Sequence, residues 1–215
     1  MTPGRFIALE GGEGAGKSTQ ARLLAELLRE RGIEVLTTRE PGGTGGAEAI
    51  RKLLLEGAPG DNGEGWNPRA EALLFAAARS DHVEKLILPA LTRGCWVICD
   101  RFLDSSRAYQ GGGGGLSDED VIALHDIGSQ GLKPDLTLLI EISPTVAAER
   151  LAIRDGGTSD RISGRGEDYH NRVSRAFARF AEAEPERFAR IDGNGTPEAT
   201  RGAIWSALNA AFALP

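Results

Sequence analysis

The stretch "EGGEGAGKST", residues 10–19, constrains this chain more than any other. It contains Gly11-x-x-x-x-Gly16-Lys17-Ser18, a spacing that lets successive backbone N–H groups curl around phosphate oxygens. Lys17 brings a positive charge to the outer phosphates, and the Ser18 hydroxyl can ligate a magnesium ion. The upstream "RFIALE" is a short apolar run of strand type, and residues 18–31 read as a helix. The phosphates would therefore also meet the positive end of a helix. Glycine is abundant here, at 29 residues, so a chance match has to be weighed. Lysine is scarce, however, and the strand and helix flanks supply the context that such a loop needs. Residues 11–19 are read as the binding loop of a nucleoside triphosphate, with magnesium.

Strand-like runs recur between helical patterns: 5–10, 33–38, 95–100, 136–142 and 187–192. Helices are expected at about 17–31, 45–55, 67–90, 118–130, 144–154, 168–184 and 197–212. This alternation implies an α/β, three-layer domain with a parallel sheet covered on both faces. At 215 residues, with no repeat or linker that would split it, the chain reads as one domain, 1–215. Polar motifs fall just after strands one, two and three, where ligands gather in such sheets. The segment 110–120, "QGGGGGLSDED", is expected to lack regular structure through its glycines and to turn sharply before a helix starting near Ser117. The polar, arginine-bearing segment 154–168 reads either as a surface loop or as a lid over phosphates.

Composition narrows the partners. A net charge of −6 argues against a surface that coats nucleic acid. Nearly all the positive residues are arginines, whose rigid fork suits phosphate, so a local basic pocket stays open. No apolar run approaches a membrane span, and no signal-peptide pattern starts the chain. Cys95 and Cys99 lie four apart in "CWVICD", on one face of a strand and about 13 Å apart, too far for a disulfide. A reduced, cytoplasmic protein is the simple reading. His82, His125 and His170 show no metal-ligand spacing and read as ordinary helix-surface residues.

The same "CWVICDR" run delivers Asp100 to the sheet edge, where it could hold magnesium opposite Ser18, with Arg101 reaching the phosphates. Arg39 in "TREPGGT" ends strand two, a good place to grip a second phosphorylated molecule. Phe75 and Arg79 are four apart and share a helix face. On that spacing alone, Phe75 could be core and Arg79 could face solvent. Glu13 is the odd residue, because a carboxylate aimed at a triphosphate would oppose binding. A solvated acid at the helix N-terminus is the plain alternative, worth under about 1 kcal/mol.

Taken together, "EGGEGAGKST", "TREPGGT", "LLFAAAR" and "DRFLDSSRAYQGGG" resemble the thymidylate kinase family, in order and at similar spacing. The resemblance implies the nucleoside-monophosphate-kinase fold with a five-stranded parallel sheet, transfer of phosphate from ATP to dTMP, a magnesium requirement and a homodimer. It implies that Arg39 and Arg101 hold the acceptor phosphate, and that Asp100 organises metal and reacting groups. Phe75 would stack on thymine and Arg79 would bond its edge. Ser105, Tyr109 and Gln110 would line the pyrimidine and sugar, with Tyr109 crowding the position of a ribose 2′-hydroxyl. Glu13 would accept from the deoxyribose 3′-hydroxyl. No basic residue occurs among Gly12, Glu13, Gly14 and Ala15, so a lid arginine would complete catalysis: Arg154 first, Arg161 second, with Arg165 a third candidate. Phe177 stands where many relatives carry tyrosine. The adenine contacts are sought in "DGNGT", 192–196. Two rivals remain open: a kinase for UMP or CMP, and a P-loop switch driven by slow hydrolysis.

Overall fold

The computed structural model describes residues 4–57, 65–155 and 161–214. Its frame is a sheet of five parallel strands, β1 (Phe6–Glu10), β2 (Val35–Arg39), β3 (Trp96–Asp100), β4 (Leu136–Glu141) and β5 (Phe188–Asp192), in the order β2-β3-β1-β4-β5. Around it lie α1 (Lys17–Arg29), α2 (Gly45–Glu56), α3 (Pro68–His82), α4 (Leu88–Thr92), α5 (Leu103–Ser106), α6 (Asp118–Ser129), α7 (Pro144–Asp155), α8 (Glu167–Ala183) and α9 (Pro197–Phe212). β1 is central, so the loop that leaves it opens where the chain's crossovers diverge to either side, the usual ligand crevice of such sheets.

Strand periodicity explains the layering. Ile7 and Leu9 point to one face, where Ile98, Leu138 and Ile140 join Leu24 and Leu28 of α1 and Ile204 and Leu208 of α9. Phe6 and Ala8 point to the other, packing with Val97, Cys99, Ile87 and Phe102. Both faces are therefore apolar and covered, as parallel sheets require. Cys95 and Cys99 are buried free thiols in the same cluster.

The helix limits expected from sequence agree to within about two residues, with two informative exceptions. The helix expected at 67–90 is a longer helical run in which π-helical turns, Val83–Ile87, join α3 to α4. The glycine run departs in part: Arg107–Gly113 is π-helical and continues α5, and the expected turn comes only at Gly114 and Gly115. Glycine is a poor helix former, but here packing decides. A Cβ at Gly112 would lie 2.5 Å from the Ala176 side chain, and one at Gly113 would lie 2.5 Å from the Tyr169 ring. The missing side chains let α8 lie directly on the π-helical segment. Ser117 caps α6 as expected, its hydroxyl accepting from the Asp120 N–H at 3.1 Å.

Two histidines also differ from the surface positions expected for them. His82 and His125 are buried, at 0% and 1% exposure, and only His170 is half-exposed. Their helix faces carry too few apolar residues to reveal this. Partners far away in sequence make burial tolerable: Glu40 and Thr38 for His82, the Leu132 carbonyl for His125. Burial holds His125 neutral, its pKa pushed down to about 4.

An ionic knot secures the segment after β3. Asp104, fully buried, accepts from Arg187 at 2.7 and 2.9 Å and from Arg107 at 3.0 Å. Burial alone would raise its pKa, but the two guanidiniums hold it below the ordinary value. Gly112→Ala should cost about 1–3 kcal/mol of stability, because its methyl group would collide with Ala176. Urea unfolding checks this, and an unchanged midpoint would contradict the packing explanation.

Candidate active site

The P-loop runs from β1 to α1 between two glycines in the left-handed region. Gly11 has φ 137°, and a Cβ there would lie 2.3 Å from the Ile140 carbonyl. Gly16 has φ 84° and starts α1. Ala15 turns inward to the core. Lys17 is buried and folds back on its own loop, donating to the carbonyls of Gly11 at 3.1 Å and Gly12 at 2.7 Å. Burial, then the charge of Arg101, lower its pKa to about 8. An incoming phosphate would supply the anion that the ammonium lacks. Beside it the Ser18 hydroxyl, in the first turn of α1, donates to Asp100 at the end of β3 at 2.5 Å, so the two residues expected from sequence to hold magnesium lie in contact.

Arg101 is the hub of the site. It follows β3 directly and has φ 70°, a left-handed conformation that a non-glycine residue rarely adopts. One amino group donates to the Gly11 carbonyl and to Ser105 Oγ, both at 3.1 Å. The other donates to Glu13 at 2.6 Å and to the Tyr109 hydroxyl at 3.1 Å. Burial works against its charge, but Tyr109, Glu13, Asp100 and Glu10 raise its pKa on balance. The Tyr109 hydroxyl itself donates to Glu13 at 3.3 Å. Glu13 thus points away from the phosphate side of the loop and into the segment 101–110.

Behind Arg101 stands Glu10, fully buried at the end of β1 and not singled out from sequence. Its carboxylate accepts from the backbone N–H of Phe102 at 2.8 Å, from the Ser105 N–H at 3.0 Å and from Ser105 Oγ at 2.6 Å. It clamps the turn that carries Arg101. Burial, then the nearby charge of Asp104, raise its pKa from 4.5 to about 7.

A cavity of about 550 Å³ joins these groups to a second set. P-loop residues Glu13, Gly14, Gly16, Lys17, Ser18 and Thr19 form one end. Asp100 and Arg101 lie in the wall, and Phe75, Arg79, Ser105, Tyr109 and Gln110 line the remainder together with Arg39. Arg79 is buried and held from behind: its Nε donates to Glu40 at 2.7 Å, and one amino group donates to Ser106 at 2.8 Å and to the Phe102 carbonyl at 3.1 Å. Glu40 in turn holds His82, which explains that buried histidine. Arg39 is half-exposed and paired with Glu48 at 3.0 Å. Gly11 and Gly12 line a neighbouring cavity of about 420 Å³ between β4, α7 and α8, in whose wall Phe177 also lies.

The three lid arginines differ. Arg154 lies in the last turn of α7, but its side chain lies outside the described residues, as do residues 156–160. Arg161 sets its guanidinium against Gly65, before α3. Arg165 is engaged by Glu71 and Tyr169. Two further arginines that sequence reasoning missed line the same cavity: Arg51 on α2 and Arg150 on α7. Arg51 donates to the Pro41 carbonyl at 2.9 Å. Arg150 donates to the carbonyls of Gly193 at 2.9 Å and Gly195 at 3.1 Å, bringing the loop 193–195 to the mouth of the P-loop. No motif marks either one; only the contacts do.

A P-loop, a hydroxyl–carboxylate pair and a second arginine-lined recess on a parallel sheet define a P-loop phosphotransferase. The family model described as thymidylate kinase matches residues 9–204. A thymidylate kinase of Rhizorhabdus wittichii is 56% identical over 96% of this chain and 97% of its own length. One from Rhodopseudomonas palustris is 50% identical, over 95% of this chain and 88% of its own. The crystal structure of thymidylate kinase from Ehrlichia chaffeensis superposes with a TM-score of 0.77 at 32% identity, covering 96% of this chain and all of that one. The chain belongs to the thymidylate kinase family.

Glu10 gives the site a pH signature. Between pH 4.5 and about 7 the folded state holds a proton that the unfolded chain has lost, so this group makes stability fall as pH rises, by up to about 1.4 kcal/mol per unit. The stability difference between wild type and Glu10→Gln should shrink across that window in denaturant titrations. A difference independent of pH would contradict the assignment.

Proposed function

We propose that this kinase transfers the γ-phosphoryl group of ATP to dTMP, giving dTDP and ADP. One observation carries the reading: the P-loop and the Phe75–Arg79–Gln110 wall open into one cavity, with Arg101 between them. ATP phosphates would lie along the P-loop amides and Lys17, and dTMP in the recess, with its phosphate toward Arg39 and Arg101. Arg51, in the same wall, would add to that grip. Phe75 would stack on the base and Arg79 would bond its edge, using the one amino group that Glu40, Ser106 and Phe102 leave unengaged. Tyr109 and Glu13 would hold the sugar. Arg150 and the 193–195 loop would flank the adenine.

The donor set fits magnesium: a hydroxyl and a carboxylate in contact, both hard oxygen ligands beside the phosphate loop. Ser18 and Asp100 would hold the ion, which when bound neutralises phosphate charge. The protein's own task is alignment and charge. Lys17 and Arg101 would converge on the phosphates, while Arg154 or Arg161 would approach from the lid segment 154–168. Enclosure of both nucleotides would keep water from competing as acceptor.

The chain would work as a single domain, 1–215, and pair as a homodimer. Leu73 on α3 and Ile127 on α6, exposed apolar side chains on two helices that pack together, support such an interface. No helix among the described residues is long and apolar enough to cross a membrane, and we place the enzyme in the cytoplasm.

A panel of dTMP, dUMP, UMP, CMP, AMP and GMP should show dTMP as the preferred acceptor. Arg39→Ala and Arg79→Ala should each raise the KM for dTMP by tenfold or more while ATP affinity holds. Preference for another monophosphate would favour the UMP/CMP kinase reading. ATP hydrolysis without any acceptor, with dTMP binding unaffected by Arg39→Ala, would favour the switch.

A further inference from the structure

The dTMP reading gives no role to Glu71 and Arg165, which stand behind Gln110 and Tyr109. Glu71, in the first turn of α3, is buried at 5% exposure, yet its carboxylate has two partners far apart in sequence. Gln110 Nε2 donates to Oε1 at 2.9 Å, and an amino group of Arg165 donates to Oε2. The other amino group of Arg165 donates to the Tyr169 hydroxyl at 2.7 Å, which itself donates to the Tyr109 carbonyl at 2.9 Å. The Arg165 fork therefore reaches two consecutive cavity residues, Tyr109 and Gln110, by two arms. Both lie on the π-helical segment that glycines bring against α8.

A side-chain amide can face either way, with its NH₂ or its oxygen toward a given partner. A carboxylate only accepts, so Glu71 admits only the NH₂ of Gln110. The amide oxygen is then the edge left for a ligand in the cavity. That oxygen accepts, so it would bond a base carrying a ring N–H and repel one with a bare ring nitrogen.

We infer that Arg165 is a positioning residue for base selection: pairing with Glu71, it fixes the carboxylate that turns the Gln110 amide oxygen toward the acceptor base. This rests on the reading of the same cavity as the dTMP site. It assigns Arg165 away from the transferring phosphoryl group, because both arms of its fork are already spent on the base wall.

The test compares Arg165→Met, Arg165→Lys, Glu71→Gln and the double variant Glu71→Gln/Arg165→Met, using dTMP and dUMP as N–H-bearing acceptors and dCMP as one lacking that hydrogen. Arg165→Met should raise the KM for dTMP about tenfold, the loss expected for one charge-assisted contact, with kcat and the KM for ATP within about twofold. The kcat/KM preference for dTMP and dUMP over dCMP should fall about tenfold. Arg165→Lys should restore part of it, and the double variant should be no worse than the weaker single one, because both cut one chain. Three results would overturn the inference: a fall in kcat on the order of 10³ with unchanged KM, the mark of a transition-state cation; an unaltered base preference; or a lowered melting temperature with no change in the KM for dTMP. The wild-type panel separates this from the parent reading, since failure of dTMP as acceptor there would sink the function whatever the variants do.

Discussion

The Arg101–Glu13 pair is the contact on which the rest of the site depends. It joins a residue of the P-loop to the residue that ends β3, at 2.6 Å and largely shielded from water. The guanidinium also grips the Gly11 carbonyl, Ser105 and Tyr109, so one planar group sets the spacing between the phosphate loop and the segment 101–110. Five N–H donors in a rigid fork make arginine suited to this; an ammonium would hold fewer partners with less geometry. The cost is a left-handed backbone at Arg101, and Glu10 meets it by fixing Phe102 and Ser105 from within the core.

The same logic extends outward. Buried carboxylates, each taking several donors, hold arginines at the cavity and beyond its lining: Glu40 for Arg79, which lines it, and Glu71 for Arg165 and Asp104 for Arg107 and Arg187, which do not. Unpaired, any of these charges would be costly to bury. Paired, they fix the direction in which each side chain presents its remaining polar edge. Glycine contributes as an absence. Residues 112 and 113 carry no side chain, α8 comes close, and Tyr169 reaches the backbone of Tyr109.

What was legible in the sequence follows local rules. The P-loop spacing, the strand runs and the Ser117 cap are read from neighbours within a few residues, and the sheet places them as expected. The i, i+4 relation of Phe75 and Arg79 likewise puts both on one cavity wall. What was not legible depends on partners far along the chain. His82 is buried because Glu40 and Thr38 lie opposite it, 42 and 44 residues away. The first three glycines of the run are helical because α8, more than fifty residues later, packs on them. Arg51 and Arg150 sit on helices whose sequences look like ordinary charged surface, and only the tertiary arrangement turns them to the cavity. Glu10 read as the end of a strand, since nothing in "RFIALE" announces a clamp.

The central claim is that donor and acceptor meet end to end at the P-loop, one on each side of Arg101. A crystal structure with dTMP and a non-hydrolysable ATP analogue bound together tests it most directly. The account predicts an acceptor phosphate oxygen within roughly 3–4 Å of the γ-phosphorus, in line with the bond to be broken, and thymine against Phe75. Reacting groups far apart, or both nucleotides competing for the P-loop end alone, would contradict it.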